Sequence, residues 1–141
     1  MIDLEAVLDR VTAHMLAGVE SPGNDIPDVT SVTKGDYATP TAQKVQITVD
    51  WAGSNFSGGV AGAMLTEDAD IAIRGYLVDI PNDDVVNAAA RALRTQIILW
   101  MKKYKGNILQ LRSARYILPA EKPDFRFTIG AEVRYTTKNF G

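Results

Sequence analysis

The sequence predicts an α+β fold, with an antiparallel sheet of about four main strands, a long helix packed on one sheet face and a short N-terminal helix. Three observations support this fold class. Residues 82–104 place apolar side chains at helical spacing. Two runs of alternating apolar and polar residues precede this segment, and two more follow it. These elements use most of the 141 residues, so the whole chain, 1–141, is expected to form a single domain.

The first element is predicted to be a helix from Asp3 to Ala17. Its apolar residues recur at the spacing of one helix face: Leu4, Val7, Leu8, Val11 and Met15. Asp3 suits the N-cap position and Gly18 suits a C-terminal stop. Residues 20–41 follow, in which prolines and glycines are mixed with polar residues and no period holds. This segment is predicted to be an extended arm or loop, and loops of such length are usually functional or disordered.

The first strand pair is predicted at residues 44–51 and 68–80. In the first run Val45, Ile47, Val49 and Trp51 alternate with polar residues, which indicates a half-buried strand. In the second run Ile71, Ile73 and Leu77 share one face, whereas Arg74 and Tyr76 share the other. The glycine-rich residues 52–66 between the runs are predicted to be a second arm or loop, so that the two strands form a long hairpin.

The central helix is predicted to begin at the N-cap residue Asn82 and to end before Gly106. Asp83 and Asp84 complement the positive end of the helix dipole, and lysines follow in the last turn. One apolar stripe runs along the helix: Val86, Ala90, Leu93, Ile97, Trp100 and Tyr104. Trp51 and Trp100 are both expected in the core.

The second strand pair is predicted from Ile108 to Leu118 and from Phe125 to Thr136. The last strand is two-faced, with apolar residues from Phe127 to Tyr135 opposite arginines and Glu132. The expected sheet therefore has one face covered by helices and one polar face.

Composition excludes several classes of function. The formal charge of −2 and the pI near 5.3 argue against a dedicated nucleic-acid-binding protein. No apolar run reaches the length that spans a bilayer, and the acidic start lacks the pattern of a signal peptide. The absence of cysteine removes disulfides and thiolate metal sites.

No catalytic, cofactor-binding or metal-binding residue is predicted. His14 is the single histidine and is interpreted as a surface or boundary residue of the first helix. The glycine-rich residues 53–62 lack the Gly-Lys-Ser/Thr ending of a phosphate-binding loop. Asp83 and Asp84 are explained by the helix start.

The candidate partner-binding residues lie on the polar sheet face and in the glycine-rich loop. They are Phe56, Arg112, Arg126, Glu132 and Arg134. The simplest interpretation of the charged residues, Arg115 included, is a solvated face with cross-strand pairs to Glu132. The alternative is an electrostatic patch at a subunit interface.

The order of elements resembles the tail terminator proteins of long-tailed bacteriophages and the related tail-completion proteins of the neck. The resemblance covers about residues 2–136. It rests on the irregular segment and hairpin after the first helix, on Ile71-Ala-Ile-Arg-Gly-Tyr-Leu-Val-Asp-Ile-Pro81 leading into the helix at Asn82, and on the closing hairpin that ends in Val133-Arg-Tyr-Thr136. Residues 20–41 match nothing in that pattern.

The resemblance implies a homo-oligomeric ring, usually a hexamer, at the tail–neck junction of the virion. Such a ring is assembled in the host cytoplasm, ends the tail tube and contacts the tube protein and a neck or head-completion protein. DNA passes its bore without specific binding, and neither catalysis nor a cofactor is implied. Three alternatives stay open: another neck or tail-tube-like component, a small monomeric ligand-binding module, and a small α+β enzyme.

Overall fold

The computed structural model describes residues 3–20, 29–35, 45–58, 65–77, 83–106, 108–117 and 129–137. Its fold class is α+β, with two helices and a mixed sheet of five strands. The elements in chain order are α1 (Leu4–Glu20), β1 (Val29–Lys34), β2 (Val45–Ser57), β3 (Thr66–Leu77), α2 (Asp83–Lys102), β4 (Leu109–Ile117) and β5 (Ile129–Thr137).

The sheet has the strand order β1-β2-β3-β5-β4. β1 runs parallel to β2, whereas the β2–β3, β3–β5 and β5–β4 pairs are antiparallel. The prediction of about four antiparallel strands is therefore correct for β2 to β5, and it misses the parallel strand β1. β1 and β4 are the two edges of the sheet, which matters for the surfaces described below.

Both helices pack on one face of the sheet, α1 over β1 and β2 and α2 over β3 and β5. Apolar side chains from both helices and from the central strands form one buried cluster. Its helical members are Val7, Leu8, Val11, Met15, Ala90, Leu93, Ile97, Trp100 and Met101. The predicted stripe of the central helix is thus confirmed from Ala90 to Trp100, while Tyr104 packs partly buried against the same cluster.

Residues 20–41 were predicted to be irregular, and this prediction is wrong for Val29–Lys34. Those six residues form β1, which pairs in parallel with Val45–Val49 of β2. Val32 packs against the hydrophobic core, so the strand contributes to burial. Four of the six residues are Val or Thr, a composition that favours strands, but the short run has no clear alternation.

The glycine-rich arm predicted at 52–66 is also partly a strand. β2 continues to Ser57 and pairs with β3 from Thr66, beyond a bulge at Ala52 between Trp51 and Gly53. Gly53 has φ of 132°, a value that a side chain would disfavour, so the bulge depends on glycine at this position. The predicted loop residues 59–64 lie outside the described part of the chain.

The expectation that Trp51 lies in the core is wrong. Its side chain is 47% exposed, and its indole Nε1–H donates a hydrogen bond to Ser54 Oγ at 2.9 Å. Alternation continues through Val45, Ile47 and Val49, which are buried, but the bulge begins immediately after Trp51. Trp51 is the last residue before this irregularity, and its pairing partner Ile71 on β3 is fully buried, so the exposure is confined to the β2 side of the pair.

The first helix is longer than predicted because Gly18 does not end it. A Cβ atom at Gly18 would lie 3.0 Å from Trp100 Cγ, so the glycine allows the two helices to approach closely at this point. The predicted N-cap is confirmed, since Ala6 N–H donates to Asp3 Oδ1 at 3.2 Å. The second helix was predicted at 82–104 and is observed at Asp83–Lys102; Asn82 lies outside the described residues.

We expect Gly75→Ala to destabilise the protein by about 1–3 kcal/mol, because it overpacks the contact between β3 and α2. An alanine Cβ at this position would lie 2.8 Å from Leu93 Cγ and closer still to Leu93 Cδ2. Chemical denaturation of the single variants and of Gly75→Ala with Leu93→Ala measures the effect. The double variant should lose less unfolding free energy than the sum of the losses in the two single variants. Strict additivity would show that Leu93 does not oppose the added methyl group.

Candidate interaction surfaces

The sheet face opposite the helices carries a cluster of three arginines around one carboxylate. Glu132 has a side chain that is 0% exposed and accepts from Arg74 Nε and Arg134 Nε at 2.6 Å each and from Arg115 Nε at 3.0 Å. The cluster spans three adjacent strands, since Glu132 of β5 lies opposite Arg74 of β3 and Arg115 of β4. The cross-strand pairs predicted for Glu132 are therefore present.

The electrostatics of this cluster keep Glu132 ionised. Burial by itself would raise the pKa of Glu132, but the hydrogen bonds from Arg115, Arg74 and Arg134 outweigh that effect and lower the pKa to about 2. Three guanidinium groups surround one carboxylate, so the cluster retains a positive excess. The cluster is thus an ion network in which one buried carboxylate is shared by three guanidinium groups.

The same sheet face is less accessible than predicted. Gln46, Thr48, Tyr76 and Glu132 on this face are all buried, so it is not a uniformly solvated surface. Long arginine side chains lie across the carboxylate, which removes Glu132 from the residues that a partner can reach directly.

The remaining sequence-predicted residues are dispersed. Arg112 lies at a bulge in β4 and donates to Asp70 Oδ1 at 3.2 Å, and the Thr136 hydroxyl donates to the same oxygen at 2.6 Å. Arg134 belongs to the Glu132 cluster, where its side chain is 31% exposed. Arg126 lies outside the described residues. The structure thus brings Glu132 and Arg134 together and places Arg112 in a neighbouring ion pair.

Phe56 lies on the β2–β3 hairpin, here defined as residues 53–57 and 66–69, which extends past the end of β5. The last β3 residue paired with β5 is Asp70, and the next residue, Ala69, still binds Thr137 of β5 through its N–H at 2.9 Å. From Glu67 and Asp68 outwards, no further strand of the described chain pairs with the hairpin. Phe56 is 55% exposed, and Leu65, which precedes β3, is 37% exposed. Ser54 Oγ donates to Glu67 Oε2 at 2.7 Å across the two strands, which holds the hairpin as an ordered projection.

A second exposed surface lies at the sheet edge formed by β4. Residues 110–116 of β4 are all exposed, including the apolar side chains of Leu111 and Tyr116. Arg91 of α2 donates to the Tyr116 hydroxyl at 3.3 Å, and Arg94 lines the same cleft between α2 and β4. An adjoining groove of about 490 Å³ is lined partly by Ile98, Leu109 and Leu111.

Sequence reasoning did not single out Arg91 and Arg94, although a signal was present. Residues 85–120 contain seven basic side chains and no acidic one. The whole chain is divided in the same sense: residues 1–84 carry 14 acidic and 4 basic side chains, whereas residues 85–141 carry 3 acidic and 11 basic ones. The small net charge hides this separation, which a count by segment would have found.

His14, the single histidine of the chain, lies against the second helix. His14 Nε2 lies 2.7 Å from the Trp100 carbonyl oxygen, and its ring contacts Tyr104 edge-on at 5.3 Å between centroids, which fits the predicted boundary position. Within the described ranges, no group of three or more His, Cys, Asp or Glu residues is placed to hold a metal ion. Neither described helix is long and apolar enough to cross a membrane.

The chain matches no model of a known protein family and no curated protein. Its function is therefore inferred from the surfaces described above.

Proposed function

We propose that this protein is a structural component of a long bacteriophage tail. It forms a homo-oligomeric ring, a hexamer by the resemblance, that ends the tail tube and joins the tail to the neck. Its partners are further copies of itself, the tube protein and a neck or head-completion protein. It acts in the virion after assembly in the host cytoplasm, through extended surfaces and without catalysis.

The observation that carries this proposal is the ordered β2–β3 hairpin with its exposed apolar residues. Phe56 of the hairpin is 55% exposed, and Trp51 and Leu65, which lie just outside its defined ends, are 47% and 37% exposed, although burial of such apolar side chains is favourable. Exposed apolar side chains on and beside an ordered hairpin are typical of a protein contact site. A terminator needs such a projection, because it must contact the end of the tube as well as its own neighbours.

The polar groups support the same class of function. The described arginine–carboxylate network is engaged in its own ion pairs, and a low-pKa carboxylate of this kind has no proton to donate near neutral pH. The cleft and groove beside β4 lie at a sheet edge, which suits a neighbouring subunit better than an enclosed small-molecule site. These features favour an assembly protein over the enzyme and ligand-binding alternatives.

The direct test is the location of the protein in the particle. In a phage that carries this gene, we expect mass spectrometry and antibody labelling of purified virions to place the protein at the tail–neck junction. Its absence from purified virions would contradict the proposal, as would a substrate turnover abolished by one side-chain change.

A functional test replaces the exposed aromatic residue of the hairpin. Phe56→Ser should leave the free energy of unfolding within about 0.5 kcal/mol of the original, because its side chain is mostly in water. In complementation, the expected defect is tails of uncontrolled length or tails that do not join capsids. Leu99→Ser is the matched control for stability, since Leu99 is 46% exposed on α2, and its free energy of unfolding should also stay within about 0.5 kcal/mol of the original. Normal yield from Phe56→Ser would remove the hairpin from the proposed contact.

A further inference from the structure

The two edges of the sheet carry opposite charge, and each charge is placed at its edge by an observed contact. On one side, Lys34 of β1 binds the carboxylates of Glu5 and Asp9 of α1 at 2.8 Å each. On the other side, Arg91 of α2 contacts Tyr116 of β4. Glu5, Asp9 and Arg91 therefore lie in the helical layer and at the outer strands.

The acidic edge is defined here as α1 with Asp3 and β1. Its described side chains include three carboxylates, Asp3, Glu5 and Asp9, against two cations, Arg10 and Lys34. The Glu5 and Asp9 side chains are 73% and 63% exposed even though both bind Lys34, so they remain accessible to a second cation.

The basic edge is defined here as α2 through Lys105 together with β4. It carries seven cations against the two aspartates of the first helical turn. Arg112 and Arg115 are bound to carboxylates of the sheet. Among the described residues, no ion pair involves Arg91 or Arg94, and both are exposed. These two arginines are thus available to carboxylates of another molecule.

The strand directions make the two edges compatible. If β2 is taken as pointing up, β1 and β5 also point up, while β3 and β4 point down. A second copy related by rotation about an axis along the strands keeps these directions. Its β1 then points up beside β4 of the first copy, which points down, so the two edges meet as an antiparallel pair. The two helical layers lie on the same side of the joined sheet, which brings Arg91 and Arg94 towards Glu5 and Asp9 of the second copy.

We infer that the basic edge of one copy docks on the acidic edge of a second copy, with β4 antiparallel to β1 of that copy. The contact joins two different surfaces, so it repeats from copy to copy and closes into a ring when the rotation allows. It also pairs β1 and β4, the two outermost strands of the described sheet, and uncovered edge strands are prone to uncontrolled pairing. Only the closure into a ring rests on the proposed function. The contact between copies does not depend on it and is tested separately.

A charge exchange tests the electrostatic part of the inference. Arg91→Glu with Arg94→Glu places carboxylates at the part of the basic edge that would face Glu5 and Asp9, and Glu5→Lys with Asp9→Lys places cations at the part of the acidic edge that would face Arg91 and Arg94. We expect each variant to associate on the order of 100-fold more weakly than the original in sedimentation velocity, because like charges then face each other. An equimolar mixture of the two variants should recover association, since every contact again joins opposite charges. Asp68→Lys on the hairpin is the control for a charge reversal outside both edges, and it should associate normally.

Each result of the charge exchange decides the matter. Recovery in the mixture supports the contact, whereas variants that associate like the original, or a mixture that stays dissociated, overturn it. If circular dichroism shows that a reversed variant is unfolded, Arg91→Gln with Arg94→Gln replaces it. That neutral variant should weaken association by about tenfold and reduce its dependence on salt.

A cysteine pair tests the edge-to-edge geometry, and the chain has no cysteine of its own. Thr33 of β1 and Ser113 of β4 both lie on the face opposite the helices, because they pair with Thr48 and Arg134. A short bis-maleimide should link the Thr33→Cys, Ser113→Cys double variant into a ladder of oligomers at about 1 mM protein. Either single variant should give no linked product under the head-to-tail arrangement.

Dimers from a single variant would show a symmetric contact between like edges and would overturn the inference. The absence of a ladder from the double variant would also overturn it. A ladder from a protein that is missing from virions would uphold the contact and reject the proposed function. If rings form but the charge variants associate like the original protein, the proposed contact is wrong and the proposed function still stands.

Discussion

Replacing Trp100 by alanine should destabilise the protein by about 3–5 kcal/mol. Trp100 is 6% exposed, belongs to the single described hydrophobic cluster and packs against Gly18 of α1. Truncation removes apolar contacts between the two helices and leaves a cavity that the surrounding backbone cannot fill. The measurement is urea denaturation followed by circular dichroism.

Trp51→Ala is the matched control, because it removes the same side chain from an exposed site. Its loss breaks one hydrogen bond to Ser54 and should cost less than about 1 kcal/mol. A similar cost for the two substitutions would contradict the assignment of Trp100 to the core and of Trp51 to the surface.

Glu132→Gln should destabilise the protein by about 3 kcal/mol, since three arginines then lose their shared countercharge. The variant keeps the size of the side chain, so the effect reports charge and hydrogen bonding more than packing. Glu5→Gln is the control, because Glu5 forms an ion pair with a side chain that is 73% exposed. Its effect should stay within about 0.5 kcal/mol, as is usual for surface ion pairs.

The Glu132 contribution should depend on pH in a defined direction. The folded pKa of about 2 lies below the ordinary value of 4.5, so the stabilisation is fully present above about pH 4.5. It is lost as the pH falls from about 4.5 through 2, where the folded protein also takes up the proton. The stability difference between the original protein and Glu132→Gln should therefore narrow between about pH 6 and about pH 2. A constant difference over that range would show that Glu132 acts through shape and not through charge.

The contacts of Arg134 with Glu132 make charge reversal at Arg134 a poor test of assembly. Arg134 was predicted to be a partner-binding residue on a polar sheet face, and in a fully exposed ion pair its charge reversal would leave the fold intact. Arg134 instead binds a fully buried carboxylate, so its reversal would place a second negative charge beside Glu132. Arg91 and Arg94 are better sites for testing assembly, because their substitution does not disturb that network.

Elements with a long regular pattern could be predicted from sequence. The stripe from Ala90 to Trp100 repeats over three helical turns, and β5 alternates through Ala131, Val133 and Tyr135. Both patterns arise because one face of the element is buried, and burial of one face imposes a period on the sequence. β1 has only six residues and no alternation, so its pairing with β2 could not be seen in this way.

The candidate surfaces were predictable only in part. The pairing of arginines with Glu132 follows from alternation, which tells which residues share a face. Phe56 was predicted in a glycine-rich loop, whereas it lies in β2. How deeply a residue lies on that face does not follow, and Glu132 proved to be fully buried where a solvated position was expected. The charge separation between the two parts of the chain was present in the sequence, although its meaning depends on where the strands lie.

The amino-acid sequence by itself determined the class of fold, the central helix and its buried stripe, and the alternation of the four longer strands, because these depend on residues a few positions apart. Tertiary structure decided the strand order, which sends α1 and β1 to one edge of the sheet and α2 and β4 to the other. It also assembled Glu132 with Arg74, a residue 58 positions away, and left Trp51 in solvent while burying Trp100. Each of these outcomes is set by hydrogen-bond pairing between distant strands and by the area that the helices cover, and neither quantity is encoded in a local pattern.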